Sequence, residues 1–223
     1  NLAIQKKLMP VNLDEYYMRA ALAHARQGIG QVAPNPSVGC VLVKAGRIIA
    51  YGRTHEGGRP HAEAEALAVA GAEACGSTAY VTLEPCAVRG RGEPCAAALA
   101  EAGVVRVVVA CLDVNPAVNG LGVQKLRDAG VEVVTGILEA EASYMHKGFF
   151  LRHTQARPFV TLKLATSRDG MIAAQVGART QISGALAARY VHFTRSRYDA
   201  IMVGSETYLV DTPVLSTRLE GYR

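Results

Sequence analysis

A chain of 223 residues, half of them hydrophobic and only 6% aromatic, holds apolar material for one ample core or two modest domains and reads as a soluble globular protein. No apolar run approaches the roughly 20 residues of a membrane-spanning helix and residues 1–10 lack the apolar core of a secretory signal, so a cytoplasmic protein without membrane contact is expected. The formal charge of +5 comes from Lys and Arg spread along the chain without a basic run, which argues against nucleic acid and fits a small anionic ligand.

In chain order, Leu13, Tyr16, Tyr17, Ala20, Ala21 and Ala23 recur at helical spacing between Asn12 as cap and Gly28 as stop, which predicts a helix over 13–27. Pro34 and Pro36 push the residues before them into extended geometry, placing Asn35 on a stiff loop. The β-branched runs Val38–Val43 and Arg47–Tyr51 meet at Ala45-Gly46 and predict a hairpin. After a glycine-rich loop, a helix is expected from His61 to about Gly71, with His61 and Glu63 in its first turn, where the helix dipole favours an ionised Glu63. A strand over Thr78–Leu83 leads into Glu84-Pro85-Cys86. Pro94 suits the first position of the next helix, which puts Cys95 at a helix start that favours a thiolate. Val104–Ala110 reads as a buried strand followed by a polar loop of the kind that borders ligands in open α/β sheets. A helix over Leu121–Ala129, a strand over Val131–Thr135 and a helix from Glu139 to about Phe149 complete a β-α alternation, implying parallel strands with helices on both faces. Farther on, Pro158–Ala165 and Ala200–Val203 read as strands, 185–195 as a helix, and Gly204–Thr207 as a loop opening another helix.

The chemistry concentrates between His61 and Cys95. One imidazole and two thiolates, from His61, Cys86 and Cys95, suit zinc better than a hard cation, and zinc with three protein ligands keeps a position for water. Glu63 lies too close to His61 to be an obvious fourth ligand and is better placed beside that water as a proton carrier. The order His-x-Glu, Pro-Cys, Cys is that of nucleobase deaminases, although eight residues separate Cys86 from Cys95 in place of the short two-residue loop. Arg53, Arg59, Arg89 and Arg91 lie near this motif in sequence and raise the local potential for an anionic substrate. Cys40, Cys75 and Cys111 have no framework spacing and read as reduced packing residues.

Six stretches together carry a resemblance: Asp14–Ala20 (DEYYMRA), Pro34–Lys44 (PNPSVGCVLVK), Pro60–Glu63 (PHAE), Tyr80–Cys86 (YVTLEPC), the eight-residue spacing to Pro94-Cys95, and the D-x-N-P of Asp113–Pro116. By these, residues 1–150 resemble the zinc deaminase domain of the riboflavin-biosynthesis bifunctional deaminase/reductase family. The resemblance implies a cytidine-deaminase-like three-layer α/β/α domain in which His61, Cys86 and Cys95 hold Zn2+, Glu63 carries protons, and Asn35, Arg91, Asp113 and Asn115 bind substrate. It also implies the substrate, 2,5-diamino-6-ribosylamino-4-pyrimidinone 5′-phosphate, a cyclic amidine hydrolysed to the pyrimidinedione. Ala87 and Val88 after the first metal Cys, and Thr54 at a phosphate-side His position, depart from the family pattern and bear on phosphate affinity.

Residues 151–223 carry T-L-K-L-A-x-S-x-D-G from Thr161, I-S-G from Ile182, V-G-S-x-T from Val203 and D-T-P from Asp211, which resemble the start of the family's NADPH-dependent, dihydrofolate-reductase-like domain. That resemblance implies that Ala165, Thr207 and Asp211 face NADPH and that Arg195 and Arg218 contact the sugar phosphate. With the later strands and glycine-rich cofactor segment not in the sequence, a partial α/β domain without reductase turnover is expected. Two other readings stay open: a deaminase for a different base, and a zinc-stabilised binding module without catalysis, for which His55 is the nearest candidate fourth ligand. A homo-oligomer is compatible with the sequence.

Overall fold

Asn12 starts the first helix as its residue type dictates. Its side-chain oxygen accepts the N–H groups of Asp14 and Glu15, and α1 runs over Leu13–Ala25 before a 3-10 turn ends at Gly28. The computed structural model describes residues 12–88, 92–116 and 118–219. The described chain divides into two compact units, one made of residues up to Gly28 with Val32–Phe159, the other of Ile29–Gln31 with the residues from Val160 onward.

In the first unit the hairpin forms at the expected place, β1 over Gly39–Lys44 and β2 over Arg47–Arg53. Ala45 and Gly46 both take positive φ, 48° and 73°, the turn geometry that matches the twist of the strands it joins. Then follow α2 (Ala62–Ala70), β3 (Thr78–Val81), α3 (Cys95–Glu101), β4 (Arg106–Val109), α4 (Leu121–Asp128), β5 (Glu132–Thr135), α5 (Glu139–Met145) and α6 (Lys147–Gln155). The sheet order is β2-β1-β3-β4-β5. The expected parallel character holds for β3, β4 and β5, whereas β1 is antiparallel to both of its neighbours.

Strand alternation sorts the core into two layers. Cys40, Leu42, Ala79, Val81, Val107 and Val109 face Ala62, Ala66, Leu99, Val123 and Leu126, from α2, α3 and α4. Val41, Val43, Tyr80 and Val108 face Tyr17, Met18, Ala21 and Leu22 of α1 and Ala142 of α5. This is the three-layer α/β/α arrangement expected from the sequence, and each large apolar side chain fully buried in it contributes roughly 1.5–3 kcal/mol. Arg106 on β4 locks α1 to the sheet, its two terminal nitrogens each 2.8 Å from an Asp14 oxygen while the Tyr80 hydroxyl donates to the same carboxylate at 2.9 Å. Those bonds hold the Asp14 carboxyl below its ordinary range.

Two expectations need correction. The helix foreseen from Glu139 to Phe149 breaks at His146, whose backbone (φ −89°, ψ 6°) leaves helical values between α5 and α6 while its ring is buried in the core. In the second unit, α7 (Ala185–Arg195) and α8 (Ser205–Asp211) form, but the described residues of Pro158–Ala165 and Ala200–Val203 make no ladder. A strand exists through its neighbour's N–H and C=O groups, which β-branched composition does not supply, and Val160, Leu162 and Leu164 stand 70%, 85% and 64% exposed. No helix of the described residues is long and apolar enough to cross a membrane.

Candidate metal centre and its cavity

His61, Glu63, Cys86 and Cys95 come together where α2 and α3 begin, at the end of β3. His61 is the capping residue of α2 and stands in extended conformation (φ −72°, ψ 160°), one position outside the helix it was expected to open. Glu63 falls in the first turn and points inward, 3% exposed. Pro94 likewise precedes α3, so that Cys95 is the first helical residue. The His61 Nδ1 atom lies 3.7 Å from the Cys86 sulfur and 3.4 Å from the Cys95 sulfur, with the three ligand atoms within 4.8 Å of one another. Tetrahedral zinc with bonds of about 2.0–2.3 Å holds an N and an S about 3.5 Å apart, so the donor set fits that ion in kind and in spacing.

Burial pushes the Glu63 carboxyl up to about 7, with its own backbone N–H and His61 opposing. The helix dipole, expected to keep this group ionised, is outweighed. Its contribution is about 0.3–1 kcal/mol at an ordinary helix start, against roughly 3 kcal/mol for a rise of this size. The Cys95 thiol donates to Cys86 and drives the Cys86 pKa down to about 4, with His61 and the Cys95 backbone N–H helping, while that same hydrogen bond and burial drive Cys95 upward. The Cys86 hydrogen bond to His61 raises the imidazole.

A cavity of about 250 Å³ opens beside this group, walled by Asn35, Pro36, Val38, Thr54, Arg59, His61, Glu63, Leu83, Glu84, Cys86, Asp113 and Phe149. Seven of the residues singled out in the sequence, Asn35, Thr54, Arg59, His61, Glu63, Cys86 and Asp113, thus share one wall, with Cys95 buried behind it. Asn35 is held by its amide donating to the Gly58 carbonyl at 2.9 Å. Asp113 accepts the Asn115 N–H at 2.8 Å, and burial raises its pKa. Thr54 accepts the Val38 N–H and donates to the Pro36 carbonyl, so its hydroxyl ties loop to strand. His55 stands 2.7 Å from Glu65 and, among the described residues, does not join the three metal donors. Arg89 and Arg91 lie outside the described residues. Cys40 and Cys111 are buried as expected, but Cys75 is exposed.

Glu84, Leu83 and Phe149 on the wall were not singled out. Glu84 sits inside the quoted YVTLEPC stretch, and a carboxylate at the end of a buried strand was the signal available there.

In the second unit Arg195 and Arg218 each reach the Val214 carbonyl at 3.4 Å, and Thr207 and Asp211 lie four residues apart on α8. Ala165 lies in the extended segment without a ladder. Among the described residues, neither α7 nor α8 buries a residue.

Two family descriptions match: the cytidine and deoxycytidylate deaminase zinc-binding region over residues 11–111, and the RibD C-terminal domain over residues 158–223. The riboflavin biosynthesis protein RibD of Aquifex aeolicus is 44% identical over 206 residues, covering 92% of this chain and 58% of that protein. RibD of Escherichia coli is 45% identical over 205 residues, covering 92% and 56%. Among solved structures, Acinetobacter baumannii RibD superposes with a TM-score of 0.89 at 44% identity, over 94% of this chain and 59% of that one. A diaminohydroxyphosphoribosylaminopyrimidine deaminase/5-amino-6-(5-phosphoribosylamino)uracil reductase from Thermotoga maritima gives 0.89 at 42% identity, over 95% and 61%. The chain spans a little more than half the length of the curated relatives it matches. Over that span, in sequence and in fold, it is similar to the RibD riboflavin biosynthesis proteins.

Proposed function

We propose that the cavity of the first unit hydrolyses the exocyclic amine of 2,5-diamino-6-ribosylamino-4-pyrimidinone 5′-phosphate, giving the pyrimidinedione and ammonia in riboflavin biosynthesis. The observation that carries this reading is one cavity in which a buried carboxyl, Glu63, stands beside the His61, Cys86 and Cys95 donors. His61, Cys86 and Cys95 would hold the zinc ion, which when bound would supply a Lewis acid for activating water at neutral pH. Glu63, with a pKa of about 7, can take the water's proton and return one to the leaving nitrogen. The oxygen stays on the ring carbon, the C–N bond breaks and ammonia departs. Asn35 and Asp113 are the wall groups that orient the ring and its sugar. A cavity of about 250 Å³ is at the small end for ligand sites and suits one heterocycle. The RibD relatives support the substrate assignment.

Ammonia release from the ribotide, with zinc measured on the same sample, tests the proposal. Release from cytosine, guanine or adenosine substrates instead would favour a different base. The binding-module reading needs a fourth protein ligand, and the His55 pairing with Glu65 argues against its nearest candidate. For residues 158–223 the family match supports a reductase segment, to which the motifs between Thr161 and Pro213 add the reading that Ala165, Thr207 and Asp211 meet NADPH and that Arg195 and Arg218 meet the sugar phosphate.

A further inference from the structure

Glu84 stands three residues past β3 and two before Cys86, with its carboxylate 6% exposed on the cavity wall. One of its oxygens accepts the N–H groups of Asp113 at 3.1 Å and Gly120 at 2.9 Å; the other accepts those of Gly122 at 2.8 Å and Val123 at 3.1 Å. A carboxylate offers about four acceptor sites, and four backbone donors meet them. The first N–H groups of a helix ordinarily need a cap close by in sequence. Here Gly120, at the head of α4 with φ 77°, brings no side-chain cap, and a residue just past the end of β3, 36 positions earlier, takes that place. The docking is tight: a Cβ added at Gly122 would lie 1.9 Å from the Pro85 carbonyl oxygen. Lys125 of α4 closes the other side, its ammonium donating to the Ala87 carbonyl at 2.6 Å. Between these anchors the loop folds on Asp113, whose carboxylate takes the Asn115 N–H and whose carbonyl takes the Asn119 amide.

We propose that Glu84 is a positioning residue of the cavity, its carboxylate gathering four backbone N–H groups so that the Asp113 side chain is held at a fixed place relative to Cys86. It acts on substrate through Asp113 and does not carry protons, because its acceptor sites are already occupied. The kinetic part of this assignment rests on the deaminase reading; the structural part does not.

The experiment compares wild type, Glu84→Gln and Glu84→Asp by amide hydrogen exchange over 111–123, zinc content and steady-state deamination of the ribotide. A carboxamide turns an N–H donor toward N–H donors, so Glu84→Gln should speed exchange at Asp113, Gly120, Gly122 and Val123 about tenfold or more. Zinc per chain and exchange in β3 should stay as in wild type. KM should rise about tenfold with kcat within about threefold, the pattern of lost binding rather than lost chemistry. Glu84→Asp keeps both oxygens and should recover part of each effect; it also carries the test should Glu84→Gln not fold. Unchanged protection over 111–123, or a lower melting temperature with unchanged KM, overturns the proposal. If wild type releases no ammonia, the deaminase reading fails while the exchange data still decide whether Glu84 holds the loop.

Discussion

The backbone N–H of Cys95 donates to the sulfur of Cys86 at 3.3 Å, so the residue that opens α3 also orients the thiol carried at the end of β3. Two consecutive elements are thereby set to converge on His61, and the core clusters that hold them draw on other residues. Two consequences can be measured. Cys86→Ser and Cys95→Ser should each lower zinc affinity at least about a hundredfold, the upper end of what losing a supporting hydrogen bond alone costs. Chelation should abolish ammonia release while far-UV circular dichroism stays unchanged. Loss of the helical signal along with the metal would mean that the ion holds the fold together instead of serving the cavity.

Glu63→Gln keeps the size of the buried side chain and removes the carboxyl proposed to take up and return a proton. Zinc content should match wild type, and kcat should fall by roughly a hundred- to ten-thousandfold, the range for a positioned general acid/base. Near-normal turnover with zinc bound would strip Glu63 of the proposed role.

The residues that proved legible in the sequence carry their signature in side chains only a few positions apart. His61 and Glu63 are two residues apart, and Pro-Cys marks each thiol, so the four meet in space as their pattern implied. Asn35 and Asp113 reach the same wall, although nothing in their own neighbourhoods shows how the chain brings them there. Glu84 was hidden for a different reason: its partners are backbone N–H groups 29 to 39 residues downstream, which leave no mark in side-chain identity. The ionisation of Glu63 was misjudged because a helix start can be read from the sequence, whereas complete burial cannot. The segments around 160 and 200 show the same limit for strands, where composition gives the propensity but not the neighbour.

Arg59 is the only Lys or Arg among the described residues on the cavity wall, which also bears the carboxyl groups of Glu63, Glu84 and Asp113. A cation so placed favours an anionic substrate group over water at the cavity mouth. Arg59→Ala should raise KM for the phosphorylated substrate about tenfold, an effect that shrinks with added salt as exposed electrostatics do, and should leave KM for the dephosphorylated nucleoside nearly unchanged. Equal losses on both substrates would show that Arg59 shapes the loop and does not meet the phosphate.

His146 is 2% exposed at the break between α5 and α6, and no hydrogen bond of good geometry reaches either ring nitrogen. Burial drives its pKa from 6.5 down to about 4, with the Thr82 backbone opposing. The unfolded chain therefore takes up a proton on this residue before the folded one does, and stability is lost as the pH falls from about 6.5 toward 4. Over that interval the loss amounts to roughly 3 kcal/mol. His146→Phe replaces the ring with one that cannot titrate. Carboxylates elsewhere also respond to acid, so the quantity to follow is the difference in urea unfolding free energy between variant and wild type. That difference should shift in favour of the variant by roughly 2–3 kcal/mol between pH 7 and pH 4. A difference that stays constant with pH would mean that the imidazole finds a partner for its proton inside the folded core.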